Sequence, residues 1–244
     1  MKKTLTRSEI AHLRSLHQKK KREEYGCFLV EGEKMVQEAL DSHFHVEAVY
    51  RREEIGEETM AKISQMASPS PCLAVVRIPA NTETATPPLP TGLCLALDGV
   101  RDPGNLGTIL RIADWFGIEN IYASEDCVEL FNPKTIQATM GAIFRKQVFY
   151  TSVTNLLQRC HASGIPTYGT FLDGDNLYQE NSAIQERGVI VMGNEHNGIS
   201  DAVAQHLQCR LLIPPYPADA HTSESLNVAI ATAILCAEFR RRQR

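Results

Sequence analysis

The chain has 244 residues, of which 43% are hydrophobic and 22% charged, and its formal net charge is −4. This length suffices for one large domain or two modest ones, and the charge excludes a polycation that binds nucleic acid through its overall charge alone. No apolar run reaches the roughly 20 residues that a membrane helix requires, and the first ten residues lack the apolar stretch of a signal peptide. We therefore expect a cytoplasmic globular protein without a membrane partner.

The N-terminal third alternates between helical and strand patterns. Thr6 and Glu9 have the spacing of a capping box, and apolar residues follow at helical intervals as far as Leu16. Strands are then predicted at 27–32, 46–50 and 72–78, with helices at 33–40 and near 57–67. This alternation predicts a small α/β domain over residues 1–78. The Pro- and Thr-rich stretch 79–92 predicts a linker.

The first predicted helix ends in a basic cluster formed by Lys19, Lys20, Lys21 and Arg22. Such a run suits contact with RNA phosphates. It is equally typical of a solvated helix end, where basic side chains lie near the C-terminal carbonyls. The pattern alone leaves both interpretations open.

Strand and helix patterns alternate again through residues 93–244. Strands are predicted at 93–100, 121–124, 147–150, 166–171, 189–192 and 211–213, and helices at 108–116, 133–140, 153–162 and 226–242. The polar stretch 172–176 is predicted to be a loop. The alternation predicts a second α/β domain. Because no strand leads into GxGxxG or GxxxxGK[ST], a standard dinucleotide site and a Walker loop are not expected.

Seven cysteines are spread along the chain without a CxxC pair or a nearby pair of histidines. Most of them lie inside apolar strand or helix patterns, as Cys94 does in LCLAL and Cys236 in AILCAEF. Such positions are typical of buried, reduced thiols. We therefore expect neither disulfides nor a metal site.

Polar side chains are concentrated where the predicted strands of the second domain end. They are Asn105 and Arg111 on its first helix, Glu195 and Asn197 in the turn GNEHNG, and Ser225 and Asn227 at the last helix. Ligands of open α/β sheets lie beyond the carboxyl ends of the strands, and these groups suit a substrate with ribose hydroxyls and a phosphate. Taken singly, Asn105 and Ser225 are also typical helix caps. In the same non-catalytic interpretation, Arg111 would form an ion pair with Asp114, and the carboxylate of Glu195 would be exposed to solvent.

Three segments of the second domain resemble, in order, the motifs of a known enzyme family. They are NLGTILRIADWFGI (105–118), VIVMGNEHNGIS (189–200), and LLIPPY with SESLNVAIA (211–231). They are similar to the SpoU, or TrmH, group of SPOUT methyltransferases, which methylate RNA ribose 2′-hydroxyls with S-adenosylmethionine. EYGCFLVEGEKMVQEAL (24–40) also resembles the family's small N-terminal substrate-binding domain.

The resemblance implies a particular architecture. Residues 93–244 would form a SPOUT α/β domain with a trefoil knot around a mostly parallel sheet. A small ribosomal-protein-like α/β domain would precede it and bind the substrate. Two protomers would pack across the cofactor sites as a homodimer.

Individual side chains are expected to fall into three groups, of which the first two are implied by the resemblance and the third by basic charge. The catalytic group comprises Asn105, Arg111, Glu195, Ser225 and Asn227. The group that would hold S-adenosylmethionine comprises Gly193, Ile213, Leu226 and, as a weaker candidate, Thr170. RNA would be bound by Lys19, Lys20, Lys21 and Arg22, with Arg51 and Arg52 as further candidates. Because a guanidinium keeps its proton, we expect Arg111 to hold a phosphate and polarise the attacking hydroxyl, although the family's proposal makes it the base.

One segment departs from the family pattern. Residues 214–224, PPYPADAHTSE, contain no Gly, whereas the family has a short Gly-containing turn there. Tyr216, Asp219 and His221 would form a lid or read the substrate, or else the segment is a tolerated surface insertion. The pattern does not decide between these two interpretations.

Several functional alternatives stay open. The small N-terminal domain favours ribosomal RNA by analogy, but transfer RNA is the alternative substrate. The altered segment 214–224 permits a non-catalytic RNA-binding protein that has kept the fold. A third alternative is methylation of a base, against which the set of Asn105, Arg111, Glu195 and the SLN motif (225–227) argues.

Overall fold

The computed structural model describes residues 4–79, 86–179, 184–217 and 225–243. The strands are β1 (Cys27–Glu31), β2 (Val46–Arg51), β3 (Cys72–Arg77), β4 (Leu93–Leu97), β5 (Asn120–Ala123), β6 (Gln147–Tyr150), β7 (Thr167–Asn176), β8 (Gly188–Met192) and β9 (Cys209–Leu212). The helices are α1 (Arg7–Ser15), α2 (Lys19–Tyr25), α3 (Glu33–Leu40), α4 (Arg52–Ile55), α5 (Glu57–Ile63), α6 (Pro103–Trp115), α7 (Pro133–Thr139), α8 (Val153–Ala162), α9 (Asp201–Ala204) and α10 (Val228–Arg241).

The N-terminal domain is built on a three-stranded antiparallel sheet in the order β1-β3-β2. Every residue of β1 is buried, and because side chains alternate across a strand, the two faces enter different cores. Phe28 and Val30 pack into a core shared with the C-terminal domain. Leu29, on the other face, joins Leu13 of α1 and Met60 of α5 in a separate core. The small sheet is therefore covered on both sides.

The basic cluster does not end the first helix, so that prediction is wrong. Helix α1 ends at Ser15, and α2 begins at Lys19 after Gln18 adopts an extended backbone conformation. Arg22 is only 3% exposed, because its guanidinium donates hydrogen bonds to the carbonyl oxygens of Leu16 and His17 in the turn between the helices. Arg22 therefore stabilises this turn, and its role in binding RNA stays a prediction.

The C-terminal domain contains a six-stranded sheet in the order β6-β5-β4-β8-β7-β9, in which all the paired strands are parallel. The predicted α/β class with a mostly parallel sheet is thus confirmed. The chain proceeds from β4 outward to β5 and β6, and then returns to build β7, β8 and β9 on the other side. The carboxyl ends of β4 and β8 therefore lie together at the switch point, where open α/β sheets bind ligands.

The segment 172–176, predicted to be a loop, belongs to β7. The register between β7 and β9 changes inside it, because Thr170 and Asp175 are both paired with Leu211. Residues 171–174 therefore leave the ladder and rejoin it, and we call them the flap. A side chain at Gly174 would place its Cβ 2.6 Å from the carbonyl carbon of Leu211, so the glycine allows the strands to approach again.

Helices α6 and α10 pack side by side and run in the same direction. At their N-terminal ends the side chain of Asn227 contacts that of Asn105. At their C-terminal ends Arg240 Nε donates a hydrogen bond of 2.8 Å to the carbonyl oxygen of Phe116. Both helix N-termini consequently lie at the same edge of the sheet.

The two domains share a hydrophobic core. The rings of Phe28 and Phe131 have centroids 4.7 Å apart across the boundary. Two ion pairs cross the same boundary, Arg22 with Glu129 and Arg145 with Glu38. The N-terminal domain is therefore docked on the C-terminal domain.

The described part of the predicted linker lies along the C-terminal domain. Its carbonyl oxygens accept hydrogen bonds at three positions, Pro87 from Arg159, Pro88 from Tyr122 and Pro90 from Arg187. Residues 218–224, which precede α10 in the sequence, lie outside the described residues, and the trefoil knot stays a prediction. No helix in the described ranges is long and apolar enough to cross a membrane.

Candidate active site

The loops that follow β4 and β8 form the floor of the candidate site. The two strands end in register, with Leu97 opposite Met192. The loop after β8 closes into a tight turn, because the backbone groups of Asn194 and Gly198 exchange two hydrogen bonds of 2.9 and 3.0 Å. Gly193 is required there, since a Cβ would lie 2.2 Å from the carbonyl carbon of Gly198. This turn can therefore present only backbone at Gly193.

Asn194 shapes the same turn, although it is not among the residues predicted for the site. Its side-chain oxygen accepts hydrogen bonds from the backbone N–H groups of His196 (3.0 Å) and Asn197 (3.1 Å). Its amide nitrogen donates to the carbonyl oxygen of Gly99, 2.6 Å away in the β4 loop. An Asn side chain that bonds to the backbone two residues on is a recognised turn signal, so the sequence did contain a clue.

Glu195 is anchored at the N-terminus of α6. Its carboxylate accepts hydrogen bonds from the backbone N–H groups of Arg101 (3.2 Å) and Asp102 (3.0 Å) and from Asn105 Nδ2 (3.0 Å). Partial burial raises the pKa of Glu195, but these hydrogen bonds outweigh burial and hold the pKa below its usual value. The interpretation of Glu195 as a solvated surface group is therefore wrong.

A chain of side-chain hydrogen bonds joins the three sequence motifs. Asn105 donates to Glu195, and its own side-chain oxygen accepts a hydrogen bond of 2.9 Å from Asn227 Nδ2. Asn227 Oδ1 accepts in turn from the backbone N–H groups of Ala229 and Ile230, which caps α10. Residues that are far apart in the sequence thus form one polar array at the switch point.

The two helix caps differ from the ones considered from the sequence. Asp102 caps α6 by accepting a hydrogen bond of 2.8 Å from the N–H of Asn105, and Pro103 follows in the first turn. Asn227, rather than Ser225, caps α10. Asn105 and Ser225 are therefore not helix caps.

A cavity of about 470 Å³ opens beside this array. Its lining includes all four residues predicted to hold the cofactor and two of the predicted catalytic residues: Thr170, Gly193, Ile213, Leu226, Glu195 and Ser225. The volume lies within the range of about 300–1,000 Å³ that is usual for small-molecule sites. Tyr216 is 96% exposed, whereas Asp219 and His221 lie outside the described residues.

Arg111 does not join the array within this chain. It is exposed on α6, six residues and hence about 9 Å along the helix axis from Asn105. Its expected alternative partner, Asp114, is engaged by Arg145 and Lys146. The side chain of Arg111 makes no ion pair or hydrogen bond with any residue in the described ranges. The structure thus brings Asn105, Glu195 and Asn227 together and leaves Arg111 apart.

All seven cysteines are free, and six of them are buried, as the sequence predicted. Burial raises the pKa of Cys94 and of Cys236 to about 12, so neither thiol is an activated nucleophile. Within the part of the chain that the structure describes, no group of three or more His, Cys, Asp and Glu side chains could hold a metal ion.

Comparison with known proteins identifies both domains. Residues 92–237 match the SpoU rRNA Methylase family, and residues 7–75 match the MRM3-like substrate binding domain. The chain is 31% identical to the 23S rRNA (guanosine(2553)-2′-O)-methyltransferase RlmP of Bacillus subtilis, over 93% of this chain and 94% of that protein.

Solved structures agree over nearly the whole chain. A TrmH-family structure from Porphyromonas gingivalis has a TM-score of 0.86 and 39% identity, covering 98% of this chain and 99% of its own. An rRNA methyltransferase from Sinorhizobium meliloti, solved with AdoMet bound, has a TM-score of 0.84 and 28% identity, with coverages of 99% and 98%. With the matched family domain spanning more than half of its residues, this chain belongs to the SpoU rRNA methylase family.

Proposed function

We propose that this protein transfers a methyl group from S-adenosylmethionine to a ribose 2′-hydroxyl of ribosomal RNA. The observation that carries the proposal is the hydrogen-bond chain from Glu195 through Asn105 to Asn227, which borders the 470 Å³ cavity. The relatives support the same conclusion, because RlmP is named as a 23S rRNA 2′-O-methyltransferase and the Sinorhizobium protein binds AdoMet.

The cavity is suited to a nucleoside-based cofactor in two respects. Gly193 leaves backbone where a side chain cannot fit, so a ligand can approach the turn closely. Leu212, Ile213 and Leu226 supply apolar lining, whereas Glu195 and Ser225 supply polar groups. When bound there, S-adenosylmethionine would supply an electrophilic methyl group. The residues of the chain then have to orient the ribose and keep its hydroxyl within about 3–3.5 Å of that group.

In this proposal Glu195 orients neighbouring groups and does not act as the general base. A general base works best when its pKa lies near the working pH, and the pKa of Glu195 is lowered. Its carboxylate instead fixes Asn105 and the start of α6. Because the N-termini of α6 and α10 converge here, their dipoles stabilise the negative charge of this carboxylate.

Arg111 requires a second protomer in this proposal. It lies outside the cavity of its own chain, and Trp115, one helical turn further along α6, is 86% exposed. On the neighbouring helix α10, Ile230 is 53% exposed. A homodimer formed through this face would cover both apolar side chains. It would also bring Arg111 to the interface, where it would hold a substrate phosphate and polarise the hydroxyl.

RNA binding by the N-terminal domain would use a smaller set of basic residues. Lys19, Lys20, Arg51 and Arg52 are exposed. Lys21 is partly buried and paired with Glu24 at 2.7 Å. Lys19 lies 3.8 Å from Glu23, but both side chains are exposed and such a surface pair is weak, so all four residues can contact RNA phosphates.

The proposal is tested by transfer of radiolabelled methyl groups from S-adenosylmethionine to purified ribosomal RNA and, separately, to transfer RNA. Nucleoside analysis should find the label in a 2′-O-methyl nucleoside from ribosomal RNA. Arg111→Ala should abolish transfer while leaving cofactor binding in calorimetry nearly unchanged. Label in transfer RNA alone would reassign the substrate. Absence of both transfer and cofactor binding would favour a non-catalytic RNA-binding protein.

A further inference from the structure

The flap, residues 171–174, forms part of the cavity wall. Phe171 and Leu172 both line the cavity. Leu172 is 77% exposed, so most of its apolar surface is in contact with water. A ligand in the cavity would therefore remove apolar surface of the flap from water.

A single guanidinium on the neighbouring strand β9 holds the flap at two points. Arg210 Cζ lies 3.5 Å from the centroid of the Phe171 ring, in a cation–π arrangement. Arg210 Nη2 also forms an ion pair of 2.6 Å with Asp173 Oδ1. This ion pair lowers the pKa of Asp173. The two contacts fix residues on both sides of Leu172.

The Phe171 ring also lies close to the backbone of its own strand. A Cβ on Gly169 would lie 2.9 Å from Phe171 Cε2 and 2.4 Å from Leu207 Cδ1, so the ring packs closely over the Gly169 backbone. The ring is therefore in contact both with the Arg210 guanidinium and with its own strand near Gly169. Beyond Arg210, the chain leads within three residues to Ile213, which lines the same cavity.

We propose that Arg210 is a positioning residue for the cofactor: it holds the flap so that Phe171 and Leu172 form the wall against which the nucleoside part packs. The inference rests on the proposed function, because it assumes that S-adenosylmethionine occupies the cavity. The polar groups of Glu195 and Ser225 lie elsewhere in the lining, so the methyl-bearing part of the cofactor would face them. Arg210 then affects binding of the cofactor and not transfer of its methyl group.

The test is calorimetric binding of S-adenosylhomocysteine, together with the KM for S-adenosylmethionine and kcat, for wild type, Arg210→Ala, Arg210→Lys and Asp173→Asn. Because an exposed cation–π contact and a surface ion pair are each weak, Arg210→Ala should raise Kd and KM roughly three- to tenfold. The value of kcat at saturating cofactor should not change. Arg210→Lys, which can keep the ion pair but not the flat stacking, should lie between wild type and Arg210→Ala.

The matched control is Arg77→Ala, which removes an ion pair of the same length, 2.6 Å to Glu47, from the N-terminal domain. It should leave Kd for the cofactor unchanged. If the wild type binds S-adenosylhomocysteine and Arg210→Ala binds it equally well, the role of Arg210 is overturned while the proposed function stands. If Arg210→Ala lowers kcat without changing Kd, that role is overturned as well. A wild type that binds neither cofactor compound would overturn the proposed function and this inference together.

Discussion

Asn227 Nδ2 donates a 2.9 Å hydrogen bond to Asn105 Oδ1, although 122 residues separate them along the chain. The direction of this bond is determined at both ends. Asn227 Oδ1 is already used as the acceptor that caps α10, and the carboxylate of Glu195 can only accept from Asn105 when it is ionised. Each amide therefore has one possible orientation in the array, which preorganises the site.

This fixed direction predicts the effect of Asn227→Asp. Asp is as good a helix cap as Asn, so we expect the stability of the variant to stay within about 1 kcal/mol of wild type. It presents a carboxylate oxygen to Asn105 Oδ1, however, and the hydrogen bond is replaced by repulsion. We expect methyl transfer to fall roughly tenfold or more, because small displacements of positioned groups have large effects on rate.

Asn227→Ala is the matched comparison, measured by thermal unfolding and by methyl transfer. It removes both the cap and the hydrogen bond, so it should lose activity and also about 0.5–2 kcal/mol of stability. If Asn227→Asp retained full activity, the hydrogen-bond chain would have no functional importance.

The tight turn at Gly193 predicts that a side chain there would lower both stability and cofactor affinity. In Gly193→Ala the new Cβ would lie within 2.5 Å of three backbone atoms of residues 198 and 199. The backbone must move, which we expect to cost about 1–3 kcal/mol of stability and to weaken cofactor binding strongly. Gly92→Ala is the control, because no atom lies within 4 Å of a Cβ there. Calorimetry should separate the two variants, and equal cofactor affinity would contradict this account of the turn.

The lowered pKa of Glu195 predicts how stability depends on pH. Because the pKa in the folded protein is below the unfolded value of 4.5, the stabilisation is present above about pH 4.5 and is lost as the pH falls through the folded pKa. Glu195→Gln cannot accept from all three donors, so we expect it to be less stable by about 1–3 kcal/mol at neutral pH. This difference should shrink as the pH falls below 4.5. Urea unfolding at several pH values measures it, and a difference independent of pH would disprove the assignment.

The proposed dimer predicts a spectroscopic change, because Trp115 is the single tryptophan of the chain. In a dimer formed through α6 and α10 its emission should be blue-shifted, and dilution below the dimer Kd should shift it to the red. Ile230→Asp should weaken the dimer roughly tenfold or more, since it would bury an unpaired charge. Leu40→Asp alters an apolar side chain that is 46% exposed on α3, and should have no effect. Sedimentation of a monomer at all concentrations would refute the dimer.

Much of the fold could be predicted from local patterns. The predicted bounds 33–40, 147–150 and 153–162 agree with those of α3, β6 and α8, because apolar periodicity and turn residues specify such elements locally. The start of α6 was placed five residues late, although Asp102 and Pro103 form a readable cap signal. Residues 172–176 are predicted to be a loop but belong to β7. The strand rejoins the ladder there because it pairs with β9, and the local sequence does not specify that pairing.

The candidate site was predictable only in part. Motif resemblance identified Asn105, Glu195 and Asn227, but not the bonds that join them, since these depend on how distant segments pack. The backbone donors of Arg101 and Asp102 carry no side-chain signal at all. The burial of Arg22 in the basic cluster could not be predicted for a related reason. A run of charged residues does not show that one of them, Arg22, donates its hydrogen bonds to the carbonyl oxygens of its own turn.

The parallel packing of α6 and α10 also bears on when the protein becomes competent during its synthesis. Asn227 completes the polar array and Arg240 secures the far end of α6, so both contacts await the arrival of α10. A nascent chain whose α10 is still within the ribosome has all of the first and second motifs but no closed array. We therefore expect the polar array to close only after α10 has emerged from the ribosome.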